Sequence, residues 1–518
     1  MRRSLVQSRR QSAPRQSGFV LVAVLVVVVL LSLAAYQFSE LMTAETRAAN
    51  RIVRIAQARA LAESGIHYAA AILADSESLQ SVAGGNPFDN ESAFKDVIVV
   101  SNSVPRLQGR FTLIAVNDTD DFSGTTSYRY GVTDEAARIN LNTLLAVDSS
   151  GEVGKNLLLK LPNMSEEAAN SILDWIDTDE EPRTGGAEST SYAGGSPSYR
   201  AKNGPLDSLE ELLYVRNVTP SLLFGNDRNR NGRLDSGEDS TGILDRGWLP
   251  YLTIYSREQN IASDGTARIF LNDSAFSDLQ TKLETAVGAE LANYILLYRL
   301  YGGTTTMPSG QTRQGSSSEA ASTVKSLIGG NPQAKVSISS LFDLVDSMVV
   351  VPGQRNAPST VFNSPLSSKN ADSLRETMPK LFDFATTRQD TELPGRININ
   401  TVSKTVLAAL PGLDETKVQS LIDKRPQPNS TESTDPVYSS PSWLISEANL
   451  DAATCRTLER YITTQTQVYR VQAVGTFDSG GPSARIEAVI DTNQGYPRIV
   501  SWRDLSELGK GFELSSSN

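Results

Sequence analysis

The sequence predicts an α+β protein. One long N-terminal helix packs on a small antiparallel sheet, and a large, mainly helical domain is inserted between the strands of that sheet. Three observations carry this reading. An uncharged apolar run, Phe19 to Ser39, follows a short basic leader. β-rich segments cluster before residue 133 and again after residue 465, with helical material between them. That stretch repeats the pattern Arg-Ile-x-Leu/Ile-Asn, starting at Arg138, Arg268 and Arg396. At 518 residues the chain is also too long for one ordinary domain.

The leader, 1–18, carries Arg2, Arg3, Arg9, Arg10 and Arg15 and no acid. The apolar run after it is long enough to cross a hydrocarbon core as a helix. A secretory signal would put its small-residue cleavage site after the apolar stretch. Here the processing site falls before it, between Gly18 and Phe19, so cutting there keeps the helix on the mature protein. An ordinary signal anchor is the alternative, and on either reading the basic leader predicts a cytoplasmic N-terminus.

The helix should continue as a stalk through residue 83. Ala44–Leu73 is Ala-rich, with Ile52, Ile55, Ala56, Leu61 and Ile66 at roughly helical spacing. Gly84-Gly85-Asn86-Pro87 ends it. The β-rich runs Asp96–Val100, Gly109–Val116 and Ser127–Val132 make residues 84–133 the first part of the sheet. Gln467–Thr476 and Ala484–Asp491 return in 466–502, leaving 503–518 as a tail. The insertion is then 134–465.

Within it the repeats lie near 138–215, 268–345 and 396–445, each starting motif being followed by a helix with a shared apolar pattern. Stacked helical units of this kind need neighbours to bury their apolar faces. Gly302–Ser322 and Pro352–Lys369 are rich in Ser, Gly and Pro and read as exposed loops. The third copy, with Leu410-Pro-Gly-Leu-Asp414, resembles a helix-hairpin-helix motif. In DNA-binding versions, hairpin amides hold a phosphate. Asp414 stands where a second glycine is usual, and a carboxylate there opposes phosphate. The net charge of −11 argues the same way, so nucleic acid is not the expected partner.

Catalysis is improbable on inventory. The chain has one histidine, His67 on the stalk, and one cysteine, Cys455, which excludes an internal disulfide and a histidine metal site. A paired-carboxylate hydrolase would need two acids at a substrate cleft.

One segment does carry metal chemistry. Asp227-Arg-Asn-Arg-Asn-Gly-Arg-Leu-Asp-Ser-Gly-Glu238 fits the twelve-residue calcium loop. Asp227, Asn229 and Asn231 take positions one, three and five, and Gly232 permits the sharp turn. Arg233 offers its carbonyl, Asp235 takes position nine, and Glu238 can bind through both oxygens. The expected cofactor is one structural Ca2+. A second acidic group, Asp174, Asp177, Asp179, Glu180, Glu181 and Glu188, could hold another cation or simply cap and solvate a loop. The loop reading is preferred.

Two resemblances follow from these residues. Basic leader, Gly18, Phe19 and apolar helix together resemble the leader of type IV prepilins and pseudopilins. The fifth mature residue, usually Glu, is Ala23, which resembles the K-type minor subunit. Asp134-Glu-Ala-Ala-Arg-Ile-Asn-Leu-Asn142, Ser171–Glu188, Tyr199 and Leu206–Val215 look like the type II secretion protein K family. That resemblance implies a pseudopilin stalk and sheet with an inserted helical domain, associated with calcium. It implies cleavage by a prepilin peptidase, and anchorage in the bacterial inner membrane with the bulk periplasmic. It further implies a place at the pseudopilus tip beside I- and J-type minor subunits, supporting protein export. The alternative is a nucleic-acid-binding minor pilin of a competence or type IV pilus system.

Overall fold

A computed structural model describes residues 17–117, 128–195, 197–238, 242–330, 332–353, 357–426 and 435–512. Most of the leader, 1–16, and the tail beyond 512 lie outside the described residues.

Helix α1, Ser17–Leu73, is continuous for 57 residues, about 86 Å at 1.5 Å per residue. Gly18 to Val53 are exposed along its length, and the helix is long and apolar enough to cross a membrane. Its last turns pack on the sheet through Ala58, Leu61, Ala62, Ile66 and Ala69. The buried stripe therefore starts lower than its spacing suggested. Ile52, Ile55 and Ala56 stay exposed because the sheet does not reach that high. Small residues set the contact: a Cβ on Gly475 would overlap the Ala58 carbonyl, so strand and helix could not approach as they do. The helix also ends ten residues earlier than expected. Asp75 accepts the Ser78 amide and starts a separate α2, Ser76–Ala83, which Gly84 terminates.

The sheet has seven strands. These are β1 Val97–Val100, β2 Gly109–Val116, β3 Tyr128–Arg129, β4 Thr133–Asp134, β5 Val468–Phe477, β6 Ala484–Asp491 and β7 Arg498–Asp504. The order is β1-β2-β5-β6-β7, with β3 on β2 and β4 on β5, and every pairing is antiparallel. The two ends of the chain thus build one sheet, and β7 adds an edge strand running past 502.

Between β4 and β5 lies the helical domain, with its own continuous apolar core. Each of its three units opens on the repeated motif and is closed by a two-residue parallel bridge. Ile139–Asn140 pairs with Leu252–Thr253, Ile269–Phe270 with Ala385–Thr386, and Ile397–Asn398 with Ile462–Thr463. The units extend well beyond the ends their helices suggested. The last residue of each motif is a pin. Asn142 brackets the Leu206 backbone at 2.9 and 2.7 Å, and Asn272 brackets Ile338 at 2.9 and 2.8 Å. Asn400 instead donates to the Tyr438 carbonyl at 2.9 Å and accepts from Trp443 Nε1 at 3.0 Å.

The Ser/Gly/Pro-rich spacers are not plain loops. Gly303–Thr304, Thr312–Gln314, Met348–Val351 and Ser359–Asn363 form a four-stranded sheet, and Ser317–Ile328 is a helix with a Ser316–Glu319 capping box. Buried Val349, Val361 and Phe362 and the capping box outweigh a composition that favours turns.

Candidate functional site

Three places answer to the chemistry expected of the sequence. At the start of α1, a Cβ added at Gly18 would meet nothing within 4 Å beyond its own helix backbone, and Phe19 is 80% exposed. Among the described residues Gly18 and Phe19 are exposed, and Ala23 lies on the same exposed apolar turns.

The acidic group belongs to the first unit. Ser165 caps the helix Glu166–Ile176 by accepting the Ala168 amide, and the helix carries Asp174 in its last turn with Asp177 at its C-cap. The following loop folds back so that Glu188 meets both. Ligand atoms of Asp174, Asp177 and Glu188 all lie within 4.8 Å of one another, and all three side chains are buried. Asp174 accepts the Ala187 amide at 2.8 Å and the Arg183 guanidinium at 2.8 Å. Asp177 also takes Arg183 Nη1. Both oxygens of Glu188 and Oδ1 of Asp177 have no hydrogen-bond partner. Burial, then the charges of Asp177 and Asp174, push the Glu188 carboxyl up to about 7. Gly186 is required here, since a Cβ would overlap Asp174 Oδ2. Asp174 and Asp177 share one guanidinium, Glu188 has none, and three buried oxygens lack partners. That donor set fits a hard, oxygen-seeking divalent cation. Asp179 is not part of it: exposed, it accepts the Glu181 amide at 2.8 Å. Glu180, also outside, holds Ser189 and Asn203.

The Asp227–Glu238 segment folds as a tight closed loop. Asp227 accepts the Asn231 and Gly232 amides at 3.0 and 2.8 Å, with Gly232 at φ 69°. Glu238 reaches back to the Arg228, Asn229 and Asp235 amides at 3.0, 3.2 and 3.0 Å, joining the loop's two ends. The Asn229 and Asn231 amide groups converge on Asp235 Oδ2 at 2.7 and 2.8 Å. Asp227, Asp235 and Glu238 do not form a carboxylate cluster like that of the first group. The two asparagines and Asp235 are the part of the loop that meets at one point, while Arg233 is exposed.

The back of this loop is held by the sheet. Arg485 on β6, fully buried, donates to the Asn229 and Arg230 carbonyls, both at 2.6 Å. Its guanidinium lies over the Phe512 ring, 4.9 Å from the centroid, and Asn231 Nδ2 donates to the Gly511 carbonyl at 2.7 Å. Neither contact was legible, because a lone arginine in a β-run carries no positional signal.

In the third unit, Lys404–Leu407 and Glu415–Lys424 are helices joined through Gly412 at φ 81°. Asp414 accepts the Lys417 amide at 2.9 Å, so its carboxylate occupies the helix N-terminus that a phosphate would need. The local path is a helix–turn–helix pair; the helix-hairpin-helix reading goes no further than that.

Comparison with known proteins bears on the same two units. Residues 137–224 and residues 397–442 each match a family model described as type II secretion system (T2SS), protein K. No curated protein matches the chain by sequence. Among solved structures, one chain of the GspK-GspI-GspJ complex from the type 2 secretion system of enterotoxigenic Escherichia coli is similar. The likeness covers 89% of this chain and 99% of that one, at 15% identity and a TM-score of 0.36. With one match on the opening unit and the other on the closing unit, both ends of the inserted domain are similar to type II secretion system protein K.

Proposed function

We propose that this chain is a minor pseudopilin that sits at the tip of a periplasmic pseudopilus, beside I- and J-type minor subunits, and supports assembly for protein export. The observation that carries the tip position is Ala23. A subunit stacked above this one would bury its terminal ammonium in an apolar core with no carboxylate opposite, which is costly. At the tip no subunit lies above, so the absence of Glu is tolerated. The exposed Gly18–Phe19 bond suits a prepilin peptidase, and the basic leader suits a cytoplasmic N-terminus in the inner membrane. Asp414 at its helix N-terminus disfavours the nucleic-acid reading.

Calcium is part of the same proposal. Asp174, Asp177 and Glu188 would hold one ion, and Asp227, Asn229, Asn231, Arg233, Asp235 and Glu238 a second. Bound there, calcium would supply the positive charge that the buried carboxylates lack. Immunolabelling of purified filaments tests the assignment. One signal per filament end is expected, and Ala23→Glu should move some of it inward. Label spread evenly along parental filaments would refute the tip position.

A further inference from the structure

The cleft between the second and third units holds more positive charge than its own acids neutralise. It measures about 1030 Å³ with its open mouth included. Five arginines line it, Arg268, Arg388, Arg396, Arg456 and Arg460, against three carboxylates, Glu258, Asp343 and Glu459. Each acid is already engaged on the wall. Glu258 takes Arg396 at 2.6 Å and Arg268 at 3.5 Å. Asp343 pairs with Arg456 at 3.2 Å and closes the capping box of Ser340. Glu459 accepts from the Ser340 hydroxyl and from the Leu341 amide.

That leaves Arg388 and Arg460. Neither makes an ion pair or a side-chain hydrogen bond among the described residues. Arg388 is half-buried, with two arginines and two carboxylates among its charged neighbours. Burial, then the Arg396 and Arg460 charges, hold its guanidinium below the ordinary range, while Asp390 and Glu459 pull the other way. Two forks without an ion pair, in a lining of five arginines against three carboxylates, give the cleft a local charge opposite to the chain's net −11, although Asp390 and Glu459 act on Arg388 and Asp148 on Arg460 from nearby.

We infer that this cleft binds a compact, doubly charged oxyanion of the phosphate or sulfate class, held by Arg388 and Arg460. Guanidinium forks match such oxyanions with paired N–H donors. Two forks call for up to four acceptor positions. A tetrahedral oxyanion provides them, whereas one carboxylate has only two oxygens. The site lies where the closing strands of units two and three meet, at Thr386 and Thr463, so a bound anion would tie the two units together.

The test uses the full-length protein in detergent, titrated with inorganic phosphate and with sulfate at constant ionic strength, read by calorimetry and thermal unfolding. Saturable binding in the millimolar range or tighter is expected, with a rise in melting temperature. Arg388→Gln combined with Arg460→Gln should weaken binding at least tenfold. It should leave the anion-free melting temperature unchanged or higher, since like-charge crowding is removed. If that double variant does not fold, exposed Arg460→Gln alone should still weaken binding severalfold. Equal effects of acetate or chloride, no saturable phosphate binding, or unchanged affinity in the variants would each overturn the site.

Discussion

The first and third units open and close alike, yet only the first carries acid-rich loops. Both start on Arg-Ile-Asn, both are closed by a parallel bridge, and both pin a later backbone segment with an asparagine. The pinned segment lies 64 residues after the asparagine in the first unit and 38 in the third. The extra length is where Asp174, Asp177 and Glu188 converge. The frame is common to the units, and what distinguishes them is held in the loops that the frame spans. The second unit fits the same account, filling its span with a small sheet in place of an acidic cluster.

The shared frame is broken most severely at Glu258, which serves two units at once. It is buried and takes Arg396 and Arg268, and the Thr463 hydroxyl adds to them. Arg396→Ala removes the better partner and leaves a buried carboxylate short of charge. A loss of about 3–5 kcal/mol is expected in chemical unfolding, felt by units two and three together. A loss below about 1 kcal/mol, the range of an exposed pair, would mean that the units are not joined there.

Next comes the first unit's own chemistry. Without a cation, the folded Glu188 carboxyl titrates near 7, above its unfolded value of 4.5. A raised carboxylate contributes stability below the unfolded value and loses it as pH rises through the folded one. The calcium-free protein should therefore lose stability between about pH 4.5 and 7. Calcium at a hundredfold excess over its dissociation constant should restore about 2.7 kcal/mol per site that binds only the folded state. Glu188→Gln should flatten the pH slope and reduce the calcium gain, while Glu238→Gln should reduce the gain without touching the slope. Melting curves across pH, with calcium and with chelator, check both. Identical behaviour of the parent and Glu188→Gln would remove the cation from the first unit.

The pins themselves give the smallest effects. Asn142→Ala and Asn272→Ala each leave a buried amide and carbonyl unpaired and should cost about 1–3 kcal/mol apiece. Because each bracket spans one unit, local hydrogen exchange should rise mainly near Leu206 in the first variant and near Ile338 in the second. Spread of either effect across both units would mean that the frame is less modular than its bonds suggest.

How much of this could be read in the sequence follows from the range of each interaction. Arg138, Arg268 and Arg396 were visible as a repeat because motif and helix sit side by side in the chain. The closing strands were not, since two residues give no periodicity. In retrospect Tyr251-Leu-Thr253, Phe384-Ala-Thr386 and Tyr461-Ile-Thr463 share an aromatic-x-Thr pattern at the bridges. The acids from Asp174 to Glu188 were visible as composition. Their convergence depends on Gly186 letting the loop fold back against Asp174, which spacing alone does not encode. Asp179 sits among the same acids and takes no part. The stalk's end at Asp75 was hidden because the residues after it still favour helix, and one capping side chain decides the break.

The seating of the Asp227–Glu238 loop also constrains when the molecule can be finished. Arg485 is 256 residues from Asn229, and Gly511 is 280 from Asn231. Contacts of such separation form late, since the chain between them must first be drawn together. A polypeptide synthesised from its N-terminus exposes the loop long before the strand and the final segment that support it exist. The same holds for α1, whose main packing strand, β5, is among the last parts made. The anchor can therefore enter the membrane before its sheet is complete, and the fold is locked only when residues near 512 arrive. A chain that stops short of Arg485 keeps the residues of its three helical units but lacks the arginine that fastens the loop to the sheet.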